Sequence, residues 1–300
     1  DVRTIYEAPM SFFREKLDLQ VLNYFKLKSK KSANLNPWKK ITKIILQNKR
    51  QVNIAIIGKY VELKDAYKSL DEALTHGGIE NKVKVNLVRI DSEKLKVSEI
   101  RSKLHNISGI LIPGGFGKRG TDGKIESIRY ARNNRIPFLG ICYGMQMAII
   151  EFARNKLNLK KATSSEFDKK GLHIIGLINE WTKDGKKIKG SDKNLGGTMR
   201  LGSYDAKLKE NSMIKKIYNK STIKERHRHR YEVNIAYKEK FEKNGMIFSG
   251  LSPDGELPEI IELRNHPWFI GVQFHPEFKS RPLAPHPLFS SFIKASKNHK

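Results

Sequence analysis

The chain has 300 residues, and 58 Lys and Arg against 31 Asp and Glu give it a formal charge of +27 and a pI near 10.0. That excess suggests an anionic polymer as partner, but 42 of the cations are Lys, 20 residues are Asn, and both are spread over the whole length. This fits a coding bias on a solvated surface better than the Arg-centred chemistry of nucleic-acid readout. No run of about 18 apolar residues offers a membrane span, and no apolar segment follows a basic start as in a signal peptide. The single cysteine, Cys142, excludes an internal disulfide and suits a reducing, cytoplasmic setting. A chain that opens on Asp1 reads as a fragment or a processed product.

Residues 1–25 read as a short, partly apolar helical piece (Ile5, Phe12, Phe13, Leu17, Leu22) too small for a core of its own. The Lys-, Ser- and Asn-rich stretch that follows has linker composition, and Pro37-Trp38 opens a brief helix, so residues 26–50 read as a connection. From Gln51 strands and helices alternate. Val52–Gly58 is a buried strand, Asp65–His76 a helix closed by Gly77-Gly78, and Val83–Ile90 a second strand. Gly109–Pro113 is a third strand, Asp122–Asn134 a helix, Pro137–Ile141 a strand and Gly144–Leu157 a helix. Residues 172–274 carry more strands and hairpin-like turns, and Pro287–Ser296 closes with a helix. The alternation predicts an α/β fold, an open and mainly parallel sheet flanked by helices, with an added antiparallel strand region.

Three pieces of this pattern carry chemistry. Gly140-Ile141-Cys142-Tyr143-Gly144 joins a strand to a helix, a G-x-C-x-G version of the nucleophile elbow. The glycines relieve crowding at the bend, and the helix start offers unpaired N–H groups and a partial positive charge that favours an anion. Pro113-Gly114-Gly115-Phe116-Gly117 ends the preceding strand, where a second oxyanion donor can approach a ligand. Phe274-His275-Pro276-Glu277 supplies a base and an orienting carboxylate two residues apart in an extended stretch. On spacing alone His227 or His229 would serve as base equally well. No Cys or His spacing suggests a metal, and no P-loop is present.

Together these pieces resemble the signature of class I (triad) glutamine amidotransferases. The longer strings Gly58–Tyr67, Gly196–Gly202, Arg226–Glu232 and Gly271–Pro282 closely resemble the CTP synthase family, and Ile5–Pro9 resembles the end of that family's synthetase domain. The resemblance implies a domain order of synthetase remnant (1–25), linker (26–50) and amidotransferase domain (51–300). It implies a Cys142–His275–Glu277 triad that hydrolyses glutamine through a γ-glutamyl thioester. Gly115 and Tyr143 would hold the oxyanion, and Tyr143, Gly144, Met145, Gln146, Glu166 and Arg230 would hold glutamine. It implies no cofactor for this chain. ATP and Mg would act in a synthetase domain that turns UTP into CTP, GTP would activate, and the complete enzyme would be a tetramer. Lys118-Arg119 and the segment around Arg200 are the expected GTP surface. The family usually has Leu where this chain has Tyr143, so altered pocket packing is expected there. The alternatives are an amidotransferase subunit serving another synthase, a peptidase-like cysteine hydrolase on a related fold, and a basic nucleic-acid binder on an inactive fold.

Overall fold

The computed structural model describes residues 1–29, 31–61, 63–177, 180–183, 186–189 and 199–299. Glu62 and Gly196-Gly197-Thr198, parts of two of the strings above, lie outside the described residues.

At the N-terminus a 3-10 turn (Ile5–Glu7) leads into α1 (Ala8–Arg14) and α2 (Leu17–Tyr24), and α3 (Asn36–Gln47) follows an irregular stretch. Pro9 and Pro37 sit in first helical turns, where a missing N–H costs nothing. A small cluster of Tyr6, Ile41 and Ile79 fixes this segment to the rest. The Tyr6 hydroxyl adds a hydrogen bond to Glu72.

The alternating part runs β1 (Gln51–Gly58), α4 (Lys68–Asn81), β2 (Lys84–Asp91), α5 (Ile100–Leu104), β3 (Gly109–Ile112), α6 (Thr121–Asn133), β4 (Phe138–Ile141) and α7 (Tyr143–Asn155). Then come β5 (Ala162–Ser164), β6 (Leu172–Leu177), β7 (Glu180–Lys183), β8 (Lys186–Lys189), β9 (Arg200–Leu208), α8 (Met213–Tyr218), β10 (Thr222–His229) and β11 (Tyr231–Val233). The chain ends with α9 (Lys238–Lys243), β12 (Met246–Leu251), β13 (Pro258–Leu263), β14 (Phe269–Val272) and α10 (Pro287–Asn298).

Among the described residues nine strands form one sheet in the order β10-β9-β12-β13-β14-β4-β3-β1-β2. The half from β14 to β2 is parallel, and the half from β14 to β10 is antiparallel. The predicted α/β sheet with an antiparallel addition is therefore present. A small sheet, β11-β6-β5, stands beside it. Along β3, Ile110 and Ile112 enter the core cluster containing α6 and α7 residues, while Leu111 enters the one containing α4 and α10 residues. Such two-sided burial explains why these strands read as unbroken apolar runs.

Two expectations change. Gly77-Gly78 does not end α4, which continues to Asn81 and stops at Lys82 in the left-handed region (φ 52°). The glycines let neighbours approach: a Cβ on Gly77 would lie 2.8 Å from the Phe289 carbonyl of α10. The stretch holding His275 and Glu277 is not extended either. Strand β14 stops at Val272, and Pro276–Lys279 forms a 3-10 turn, with proline pre-set for its first position. Among the described residues no helix is long and apolar enough to cross a membrane.

Candidate active site

Strand β4 is buried along its whole length between β3 and β14, and Cys142 follows it directly. The Cys142 N–H donates to the Val272 carbonyl at 2.6 Å, so the residue is still held by the sheet as the chain turns. Its backbone sits at φ 51°, ψ −103°, a conformation that L-residues rarely adopt and that costs of order 1–3 kcal/mol. Helix α7 starts at the next residue. A Cβ on Gly144 would lie 2.2 Å from the Ile112 carbonyl, and one on Gly140 would lie 2.8 Å from the Gly144 backbone. The bend is therefore closed to any larger residue at either flank, as the elbow pattern requires.

The neighbouring strand delivers the base. Past β14, the Gln273 N–H donates to the Glu259 carbonyl at 2.9 Å and the His275 N–H to the Arg226 carbonyl at 2.8 Å. The imidazole Nδ1 pairs with Glu277 Oε1 at 2.7 Å, and the Phe278 ring stacks on it at 5.4 Å. Burial pulls the His275 pKa down. Cys142 first and the Glu277 carboxylate second outweigh that effect and raise it to about 10. The ring is therefore an imidazolium at neutral pH in this arrangement, with Cys142 and the Glu277 carboxylate as its stabilising neighbours. A Cβ on Gly114 would lie 2.8 Å from His275 Cε1, which places the Gly-rich loop after β3 against the same ring. Cysteine, histidine, glutamate and loop thus converge at the carboxyl ends of β3, β4 and β14, where ligands of open α/β sheets bind.

The other predicted residues surround this point to different degrees. Gly115 follows in the loop, and a Cβ there would lie 3.8 Å from the Tyr143 ring. Tyr143, Gly144 and Met145 form the first turn of α7, with Met145 wholly buried. The Tyr143 hydroxyl donates to the Gly117 carbonyl at 2.5 Å, so the aromatic residue anchors the loop as well as filling space. Glu166 accepts from the Gly117 N–H at 2.8 Å, and burial raises its pKa against the opposing pull of that N–H and of Lys59. Arg230, half-buried between β10 and β11, has no hydrogen bond or ion pair among the described residues. The Gln146 side chain is buried and engaged elsewhere, donating to the Tyr231 carbonyl at 2.8 Å and to Gln273 Oε1 at 3.1 Å.

Arg200 does not belong to a ligand surface. Its side chain is buried and pairs with Glu232 at 2.8 Å and Glu259 at 2.7 Å. Arg119 remains exposed, 3.5 Å from Glu93. His227 and His229 lie in the Arg200 cluster, where burial first and Arg200 second hold their pKa values well below the usual range. They hydrogen-bond each other at 2.9 Å, and it is His275 whose pKa Cys142 raises. Sequence reasoning missed Gln273, whose Nε2 lies 3.6 Å from Cys142 Sγ. The available signal was an amide inside the apolar run Phe269–Phe274. Among the described residues no group of three or more His, Cys, Asp and Glu is placed to hold a metal.

Residues 62–295 match the family model described as glutamine amidotransferase class-I. A CTP synthase from Pelagibacter ubique (strain HTCC1062) is 89% identical over 300 residues, which is 100% of this chain and 56% of that protein. A CTP synthase from Zymomonas mobilis is 54% identical over 299 residues, 99% of this chain and 55% of that protein. The chain thus spans about half the length of the curated relatives it matches. Among solved structures, the glutaminase domain of Trypanosoma brucei CTPS with bound acivicin matches with a TM-score of 0.75 and 36% identity, over 83% of this chain and 95% of that one.

Proposed function

The chain belongs to the class I glutamine amidotransferase family, within it to the glutaminase domains of CTP synthases, and on that premise we propose that it hydrolyses glutamine to glutamate and ammonia at Cys142. The observation that carries the reading is the strained elbow of Cys142 facing a His275 imidazole whose other nitrogen is 2.7 Å from Glu277.

The anionic sulfur attacks the side-chain amide carbon of glutamine. A C–S bond forms, the carbonyl π pair moves to oxygen, and the N–H groups of Gly115 and Tyr143 donate to that oxyanion. The His275 imidazolium gives its proton to the amide nitrogen, the C–N bond breaks, and ammonia leaves. A water then gives a proton to the neutral imidazole and attacks the thioester. The C–S bond breaks with its electron pair returning to sulfur, and glutamate is released. Glu277 holds the ring and stabilises its charged form throughout. Arg230 takes the α-carboxylate of glutamine, and Glu166 takes the α-ammonium. Gly144, Met145 and Gln146 line the pocket through the first turn of α7. Both Nε2 hydrogens of Gln146 are already committed, which leaves its backbone and Oε1 for glutamine.

In the complete protein, residues 1–25 end a synthetase domain, residues 26–50 connect it, and residues 51–300 form the amidotransferase domain. The ammonia is consumed there in converting UTP to CTP with ATP and Mg, in a cytoplasmic tetramer. GTP activates through the exposed Lys118-Arg119 loop. The exposed apolar side chains of α1 and α2, Phe12, Leu17 and Leu19 among them, support a larger body packed on that end.

The test is glutamate release from glutamine by the purified chain and by Cys142→Ala. Slow release by the chain, with at least a 10³-fold loss in the variant, is expected. Undiminished release by Cys142→Ala would refute the assignment.

A further inference from the structure

Gln273 is wholly buried, one residue past β14. A buried amide needs defined partners for both ends, and here the partners settle which end is which. The Tyr231 backbone carbonyl can only accept. The Gln146 atom 2.8 Å from it must therefore be the amide nitrogen. That nitrogen spends its second hydrogen on the Gln273 atom 3.1 Å away, which must therefore be oxygen. The remaining end of Gln273 is then an N–H donor, and it lies 3.6 Å from Cys142 Sγ. The chain of donors runs from a fixed backbone carbonyl to the sulfur without an ambiguous orientation.

We propose that Gln273 is a catalytic residue of the thiol, donating its Nε2–H to Cys142 Sγ and favouring the anionic sulfur, with Gln146 as the positioning residue that aims it. The inference rests on Cys142 being the nucleophile. A charge-assisted N–H···S⁻ bond is stronger than the same contact to a neutral thioester sulfur. The donor therefore matters most when sulfur carries charge: before attack, and again when the C–S bond of the acyl intermediate breaks and the electron pair returns to sulfur. Neither glutamine titrates, so the donor is present at every working pH. The titratable groups around this point are His275, Glu277 behind it, and the Arg200–Glu232–Glu259 set with the neutral His227 and His229 from β9, β10, β11 and β13. None of them is altered by changing Gln273 or Gln146.

Cys142 is the single cysteine of the chain, so alkylation by iodoacetamide reads this one sulfur and needs no glutamine. The rate of alkylation against pH is measured for the purified chain, for Gln273→Leu and for Gln146→Met. Gln273→Leu is expected to move the profile upward by roughly one pH unit, slowing alkylation about tenfold on the acid side and leaving the alkaline plateau unchanged. Gln146→Met, which keeps Gln273 but frees its amide, is expected to move it the same way by less. It also serves as the test if Gln273→Leu does not fold. A profile superimposable on that of the unaltered chain in either folded variant overturns the proposal. That result would leave the glutaminase assignment standing, because the assignment is tested separately by Cys142→Ala.

Discussion

His275 ties chemistry to pH. Its folded-state pKa, about 10, lies above the ordinary 6.5. The stability it contributes is therefore complete below about pH 6.5 and is lost as pH rises from there through about 10. In Glu277→Gln one anionic partner is gone. The titration midpoint of His275, followed by the NMR shift of its Cε1 proton, should fall from about 10 toward 6.5. Glutamate release should fall by about 10²–10⁴-fold. A midpoint unmoved in the variant would mean that Glu277 does not support the ring. The sequence made this pair visible because both residues lie in one short segment. The geometry was not visible, since the 3-10 turn at Pro276, and not an extended strand, brings Glu277 Oε1 to the imidazole. Tyr143 was legible as a space-filling departure from Leu. Its hydrogen bond to Gly117 was not, because the acceptor comes from a loop 26 residues earlier.

At the level of elements, strands were easy to read and helix ends were not. Runs such as Val52–Gly58 and Gly109–Pro113 combine β-branched residues with burial on both faces, and few other structures satisfy that pattern. Gly77-Gly78 carries the composition of a helix stop. The decisive factor is tertiary: α10 lies so close to α4 that only glycine fits. The two effects predict opposite signs for Gly77→Ala. Helix propensity alone would stabilise by about 1 kcal/mol. A Cβ 2.8 Å from a backbone carbonyl forces the two helices apart and costs about 1–3 kcal/mol. The steric term is larger, so urea denaturation should show a lower midpoint for the variant; a higher midpoint would show that the packing is loose.

Over the whole molecule, charge divides into a solvated majority and a few buried groups. Most described lysines lie at exposed positions. Lys124 is an exception, buried beside Ser92, where burial and then Lys59 pull its pKa to about 8. The Arg200 cluster is the larger exception. It joins β9 and β13 of the main sheet to β11 of the small one, and its members are up to 59 residues apart. Spacing along the chain could not reveal it, and Arg200 reads in sequence as one more surface cation. Burial raises the Glu232 pKa to about 8 even with Arg200 in contact. A carboxyl raised in this way favours the folded state below its unfolded value of 4.5 and loses that contribution as pH climbs to about 8. In Arg200→Leu two buried carboxyls lose their cation. The expected loss is about 3–5 kcal/mol, larger at pH 8 than at pH 5.5 in urea denaturation. A pH-independent loss would show that the carboxyls are already neutral.

The positive φ of Cys142 also bears on how such a protein balances turnover against durability. Glycine usually ranks below alanine by about 0.5–1 kcal/mol within regular structure. At φ 51°, ψ −103° that ranking inverts, because only glycine is at ease there. The backbone at the centre of the fold is thus shaped for a residue that the chemistry forbids. The most robust version of this chain at that position would be an inactive one, and a screen that rewarded stability alone would discard the nucleophile.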